Sequence, residues 1–207
     1  MCLLFCWIGC QHTNEQEYTK VINYSQELSE FYRHHLSKAI ENLKNFEHYS
    51  LSEQKEQYGL ARLHFKRLEP ILAFIDKENY KALNAPNIIT VRGEESDDTK
   101  VIHPIGFQVI EEIIYGNLQN KAVLKRAVEV TRARLKLLRK NGLQDLKDYH
   151  IIWLIRDQIV RIATTGITGF DSPVLKQSLV ESSHTYESLL EIMQLVDVKF
   201  SSQKLKA

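Results

Sequence analysis

Sulfur is nearly missing from this chain. Its three cysteines are Cys2, Cys6 and Cys10, and none follows between Gln11 and Ala207. Residues 11–207 therefore lack what a disulfide framework, a thiolate metal site, a thiol nucleophile or a covalently attached haem requires. Chain breakers are scarce as well, with eight Gly and four Pro in 207 residues. A many-stranded sheet needs a turn about every 8–12 residues, so this scarcity points to helices. A charge excess of one sign is also missing. Twenty-seven Lys and Arg face 26 Asp and Glu, a net charge of +1, which offers little to a phosphate backbone, and no nucleic-acid partner is expected. Long apolar runs are absent beyond the first ten residues. There is no Gly-rich phosphate loop, no Gly-x-Ser-x-Gly elbow and no His-Glu-x-x-His. What is present, 43% hydrophobic and 26% charged residues, excludes a disordered tail and suffices for a packed core.

The one apolar run, Cys2 to Gly9, is too short to span about 30 Å of hydrocarbon. It matches the apolar region of an export signal. Ile8-Gly9-Cys10 resembles the end of a bacterial lipobox, with Cys10 as the lipid acceptor; Trp7 stands where that motif usually has Leu. Residues 1–10 are thus read as signal and lipobox, and 11–17 as a polar tether. Residues 18–207 are read as one helical bundle domain. These features imply a lipoprotein on the periplasmic side of a bacterial membrane.

Beyond the tether the apolar spacing is helical almost throughout. Val21, Leu28, Tyr32, Leu36, Ala39, Leu43 and Phe46 recur at steps of three and four or their sums. Ser52 with Glu53 and Glu56 suggests the next helix start, and Ala61, Phe65, Leu68, Leu72 and Ile75 form its stripe, with a kink expected at Pro70. Periodicity fails from about 84 to 104, which predicts a long loop with a short extended piece at Ile88–Val91. A helix to Tyr115 follows. The next spans about 118–140 and carries Leu124, Val128, Thr131, Leu135 and Leu138. Asp145 or Asp148 would cap a helix with Ile152, Ile155, Ile159 and Ile162 as its core, the most enclosed of the set. The last helix would start at Asp171-Ser172-Pro173 and bury Leu175, Leu179, Tyr186, Leu190, Met193, Val196 and Phe200. The fold class is all-α, an antiparallel bundle.

Chemistry concentrates at Gly106–Gly116. On a helix, Phe107, Ile110 and Ile114 face one way, while Gln108, Glu111, Glu112 and Tyr115 share the other side. A carboxylate and a neutral donor one turn apart suit a hard metal ion; the plainer reading is a solvated face. Asp157 and Arg161 have ion-pair spacing. His64, beside the Phe65–Leu68 stripe, reads as a partly buried, hydrogen-bonded histidine.

Gly106-x-Gln108-x-x-Glu111 with Ile113-Ile114-Tyr115-Gly116 resembles the signature of imelysin-like periplasmic proteins, in which the Gln108 position is His. Leu60-Ala61-Arg62-x-x-Phe65-Lys66-x-x-Glu69 resembles an earlier helix of that group. Four segments, Phe65–Glu69, Leu83–Pro86, Pro104–Glu112 and Ile167–Pro173, are similar to the helical region that precedes the di-haem domain of certain bacterial cytochrome c peroxidases. This likeness covers roughly residues 20–200, and no Cys-x-x-Cys-His motif is present. It implies a single imelysin-like bundle, non-catalytic by itself, that docks on a di-haem peroxidase domain or protein. The imelysin resemblance also implies an alternative, uptake of a metal ion such as iron at Glu69, Glu111, His103 and Gln108. Amide Gln108 binds metal far more weakly than imidazole, so Glu69 and Glu111 are preferred as partners of Arg62 and Arg67, gluing helices together.

Overall fold

Ser50 starts the central helix. Its backbone is extended, its hydroxyl accepts from the Glu53 N–H, and the Glu53 carboxylate accepts from the Ser50 N–H at 2.7 Å. The expected start at Ser52 gives way because Ser52 has Lys55 three residues on, where a reciprocal cap needs an acid. The helix that follows, α2 (Leu51–Ile75), continues through Pro70, whose missing N–H leaves the Lys66 carbonyl without its usual donor. The computed structural model describes residues 24–93, 99–116, 120–144 and 146–200. The lipobox, Cys10 and the 11–17 tether lie outside the described residues.

Around α2 stand α1 (Tyr24–Asn42), a short α3 (Lys77–Leu83), α4 (Phe107–Tyr115), α5 (Lys121–Asn141), α6 (Asp148–Arg161) and α7 (Ser178–Phe200). The fold is all-α apart from one hairpin, among the described residues. Side-chain pairs give the helix directions. His35 meets His64 while Phe46 meets Gln54, so α1 and α2 run antiparallel. Phe65 meets Phe107 and Tyr58 meets Glu111, which makes α4 antiparallel to α2. Lys125 approaches Glu47 and Arg139 reaches Ser37, so α5 opposes α1. Phe74 faces His150 at the start of α6, while Gln158 and Arg161 lie near Lys66 and Glu69. Finally Arg62 pairs with Glu181 and the Arg67 carbonyl accepts from Ser188, so α7 runs parallel to α2. Consecutive long helices alternate, as the sequence predicts; α2 and α7 are parallel because an even number of reversals separates them.

One apolar cluster joins the helices, built on Leu28, Tyr32, Leu36, Phe65, Leu68, Leu72, Phe107, Ile110, Leu135 and Leu154. The expected apolar stripes of α1 from Leu28 on, of α2 from Ala61 to Leu72, of α4, and of α5 at Leu124, Val128, Leu135 and Leu138 lie in it; Val21 is outside the described residues. Asn120 caps α5 by accepting from Ala122 and Val123, and Gly142 ends it with φ 70°.

Five local expectations are corrected. The 84–104 loop contains a hairpin, β1 (Thr90–Gly93) paired antiparallel with β2 (Thr99–Ile102), with Val91 opposite Val101. Helix α6 is not capped by an aspartate: the Lys147 N–H donates to His150 Nδ1, Asp148 is already helical, and Asp145 lies outside the described residues. Its buried face is Ile151, Leu154 and Gln158, continued by Ile162; of the expected stripe Ile162 is buried as read, while Ile152 is 60% and Ile159 46% exposed. The last helix begins at Ser178, because Asp171 and Ser172 are engaged elsewhere. It buries Ser178, Glu181, Ser182, Thr185 and Ser188, while Leu179 is 72% exposed and Tyr186, Leu190 and Met193 stand about half out. Leu189, Ile192 and Val196 are its apolar anchors.

Candidate functional site

Gly106 decides where α4 can lie. Its φ is 108°, and a Cβ there would sit 2.3 Å from the Leu83 carbonyl oxygen. Only glycine accepts both that backbone and that approach. The Gly106 N–H donates to Thr131 on α5. Two residues on, Gln108 donates from its amide to the Asn84 carbonyl at 3.0 Å. The end of α3 and the start of α4 are thereby stitched together.

Gln108 and Glu111 are not on a solvated face. Both are fully buried, because the 171–175 segment closes over that side of α4 while α2 covers the other. Glu111 receives the Tyr58 hydroxyl at 3.0 Å on one oxygen. The other accepts from the Ser172 hydroxyl and the Val174 and Leu175 N–H groups at 2.9–3.1 Å. Four neutral donors replace the water a buried carboxylate would lose. Burial and the Glu111 charge together push the Tyr58 hydroxyl well above its ordinary pKa, against the opposing pull of Arg62.

A second, charged cluster adjoins it. Arg62 grips Glu181 through Nε (2.7 Å) and Nη2 (2.9 Å), and donates to the Asn84 side chain and the Asp171 carbonyl. Lys66 lies between Asp171, at 2.9 Å, and Glu69. Tyr80 donates to Glu69, and Asn84 donates to both Tyr80 and Asp171. Burial alone would raise the Asp171 pKa, but Lys66 and Arg62 outweigh it and hold the carboxyl below its usual range. Burial likewise works against the Lys66 and Arg62 charges, yet Glu69 and Glu181 respectively keep both firmly protonated. Arg161 lies over the Tyr80 ring at 4.7 Å and borders a gap with Lys66, Glu69 and Asp171 that is too small for water.

The four segments singled out in the sequence therefore meet. Arg62, Lys66 and Glu69 come from α2, Asn84 from the end of α3, Gln108 and Glu111 from α4, and Asp171 and Ser172 from the turn before α7. Within this cluster the expected partners are corrected. Glu69 pairs with Lys66 rather than an arginine, Glu111 takes neutral donors, and Arg62 and Arg67 turn to Glu181, Glu187 and Glu191 on α7. Asp157 pairs with Arg156, not Arg161. His103 is exposed, and Gln108 spends its donor on Asn84. No group of three His, Cys, Asp or Glu among the described residues is placed to hold a metal ion.

Sequence reasoning missed Glu181 and the Ser/Thr face of α7. The signal was there as Ser178-x-x-Glu181-Ser182-x-x-Thr185-x-x-Ser188, a polar stripe at helical spacing. The cluster binds segments together: Arg62 and Lys66 each have a carboxylate, and the chain after α6 is locked to α2 and α4. No protein-family model matches the chain, and no curated protein matches it either.

Proposed function

We propose that this protein is a non-catalytic docking module for a di-haem cytochrome c peroxidase domain, an imelysin-like single bundle held by lipid at Cys10 on the periplasmic side of a bacterial membrane. The observation that carries the reading is the inversion of α7. A helix that buries Ser, Thr and Glu while turning Leu179, Tyr186, Leu190 and Met193 outward has an apolar face with no use inside its own fold. Helix α6 adds Ile152, Trp153, Ile159 and Val160, and the intervening turn adds Ile167 and Phe170, all around half exposed or more. Arg156 covers the Trp153 ring at 3.6 Å, an aromatic–arginine pair of the type enriched at binding hot spots. The buried ion pairs support this reading because they fix α7 rigidly against α2, so the outward face is presented in one arrangement.

The test uses the full chain and the di-haem peroxidase of the same organism. Titration calorimetry should give saturable binding, weakened at least tenfold by Leu190→Asp and by Trp153→Asp. Absence of binding, or binding indifferent to both substitutions, refutes the assignment. Palmitate labelling that is lost in Cys10→Ser tests the anchor separately.

A further inference from the structure

At the end of the bundle where α1 turns into α2 and α4 into α5, a cavity of about 530 Å3 opens to solvent. Its floor is Phe46, Ile113, Ile114, Leu124 and Val128, all buried and all without a polar side-chain atom. Its rim carries Lys121 and Lys125, one turn apart on α5, and Glu47. Lys125 stands 4.0 Å from Glu47 and 3.9 Å from Glu129, while Lys121 has no ion-pair partner among the described residues. Glu47 and Glu129 together offset Lys125, which leaves Lys121 as the cation at the mouth without a carboxylate of its own among the described residues.

We propose that this cavity binds a single-chain amphiphile with an anionic head, a medium-chain fatty carboxylate, tail on the floor and carboxylate at Lys121. The volume lies in the range of about 300–1,000 Å3 usual for small-ligand sites. The floor sets the tail: a polar group placed there would find no hydrogen-bond partner. The rim sets the head, since an anion gains a cation where a second cation would face repulsion. This site lies apart from the α6 and α7 faces, so the inference stands or falls independently of the docking reading.

The full chain is titrated with octanoate, decanoate and dodecanoate below their aggregation concentrations. One-to-one binding is expected, tightening about fourfold per added methylene until the cavity is full. Decyltrimethylammonium should bind at least fivefold more weakly than decanoate. Ala122→Trp, at the exposed mouth, should weaken decanoate at least tenfold while leaving the urea midpoint unchanged. The double variant Lys121→Glu and Lys125→Glu should reverse the preference for the anionic head. Failure to saturate, indifference to Ala122→Trp, or loss of binding in Leu190→Asp instead would each overturn the assignment.

Discussion

Arg62 and Glu181, 119 residues apart in the chain, form a two-pronged buried ion pair at 2.7 and 2.9 Å. Neither has water to fall back on, so removing one strands the other. Glu181→Ala should therefore cost about 3–5 kcal/mol, read as a lower urea midpoint at unchanged slope. Arg62→Met together with Glu181→Leu should recover much of that loss, since an apolar pair of similar volume strands no charge.

Glu111 predicts a local effect. Its carboxylate is what holds the Ser172, Val174 and Leu175 donors beneath α4. In Glu111→Ala those donors lose their acceptor, at about 1–3 kcal/mol for each left unsatisfied. Hydrogen exchange should accelerate first at the Val174 and Leu175 amides, ahead of α1 and α2. If exchange rises evenly across the chain, Glu111 is not the clamp of this segment.

Much of this architecture is legible in the sequence, and what is not has identifiable causes. The α1 and α5 stripes are the densest apolar rows of their helices, although α5 also turns Val123, Val130 and Leu137 outward, so periodicity names one face. Helix α6 offers two: Ile151 and Leu154, or Ile152, Ile155 and Ile159, with Ile162 following both. With both apolar, spacing has no means of choosing, and the contact with α2 decides. Helix α7 poses the sharper problem. Hydropathy selects Leu179, Tyr186, Leu190 and Met193, but Arg62 and Lys66 on α2 require acids and hydroxyls opposite them. The Gly106 motif was visible as a pattern, whereas its meeting with Asp171 and Ser172 depends on the helix order and on no local signal.

The histidines at the α1–α2 contact set an acid limit. His35 and His64 share a 2.9 Å hydrogen bond between their Nδ1 atoms, so at least one must be neutral. Burial, then His64, His34 and Arg67, lower the His35 pKa to about 3. Burial, then His34, Arg67 and Lys38, lower that of His64 to about 4. Both fall below the unfolded value of about 6.5, so below that pH the unfolded chain takes up more protons. Stability is unaffected by the pair above pH 6.5 and is lost as pH falls toward the folded values. The limiting slope is about 1.4 kcal/mol per pH unit for His35, and smaller for the more exposed His64. Asp171, whose folded pKa is depressed, loses its contribution only below the ordinary aspartate range and leaves the window from 6.5 to 4.5 to the histidines. Urea midpoints should drop across that window, and His64→Gln should flatten the drop.

Two glycines make opposite predictions. Gly106→Ala forces a Cβ into the Leu83 carbonyl at a positive φ and should cost at least about 2 kcal/mol. Gly59 lies inside α2 with open space around its would-be Cβ. Gly59→Ala should instead stabilise by about 0.5–1 kcal/mol, because glycine loses more backbone freedom in a helix. Thermal unfolding of the two variants against wild type should bracket the parent, one below and one above.

Helix α7 supplies the test that separates the sequence pattern from the packing. If the apolar stripe were the core, Leu179→Glu and Leu190→Glu would be severe and Ser188→Leu would be welcome. The structure dictates the reverse. Leu179 and Leu190 contact solvent, so acids there should shift stability by no more than about 0.5 kcal/mol while reducing any self-association through the apolar face. Ser188 is fully buried and donates to the Arg67 carbonyl at 2.6 Å, where leucine would add volume and remove that donor. Ser188→Leu should therefore cost about 1–3 kcal/mol through overpacking. Denaturation of the three variants, with sedimentation at high and low concentration for the two acidic ones, reads both effects. Were Leu190→Glu to unfold the chain while Ser188→Leu left it intact, α7 would have to be rotated by half a turn, and the Arg62–Glu181 pair would be lost with it.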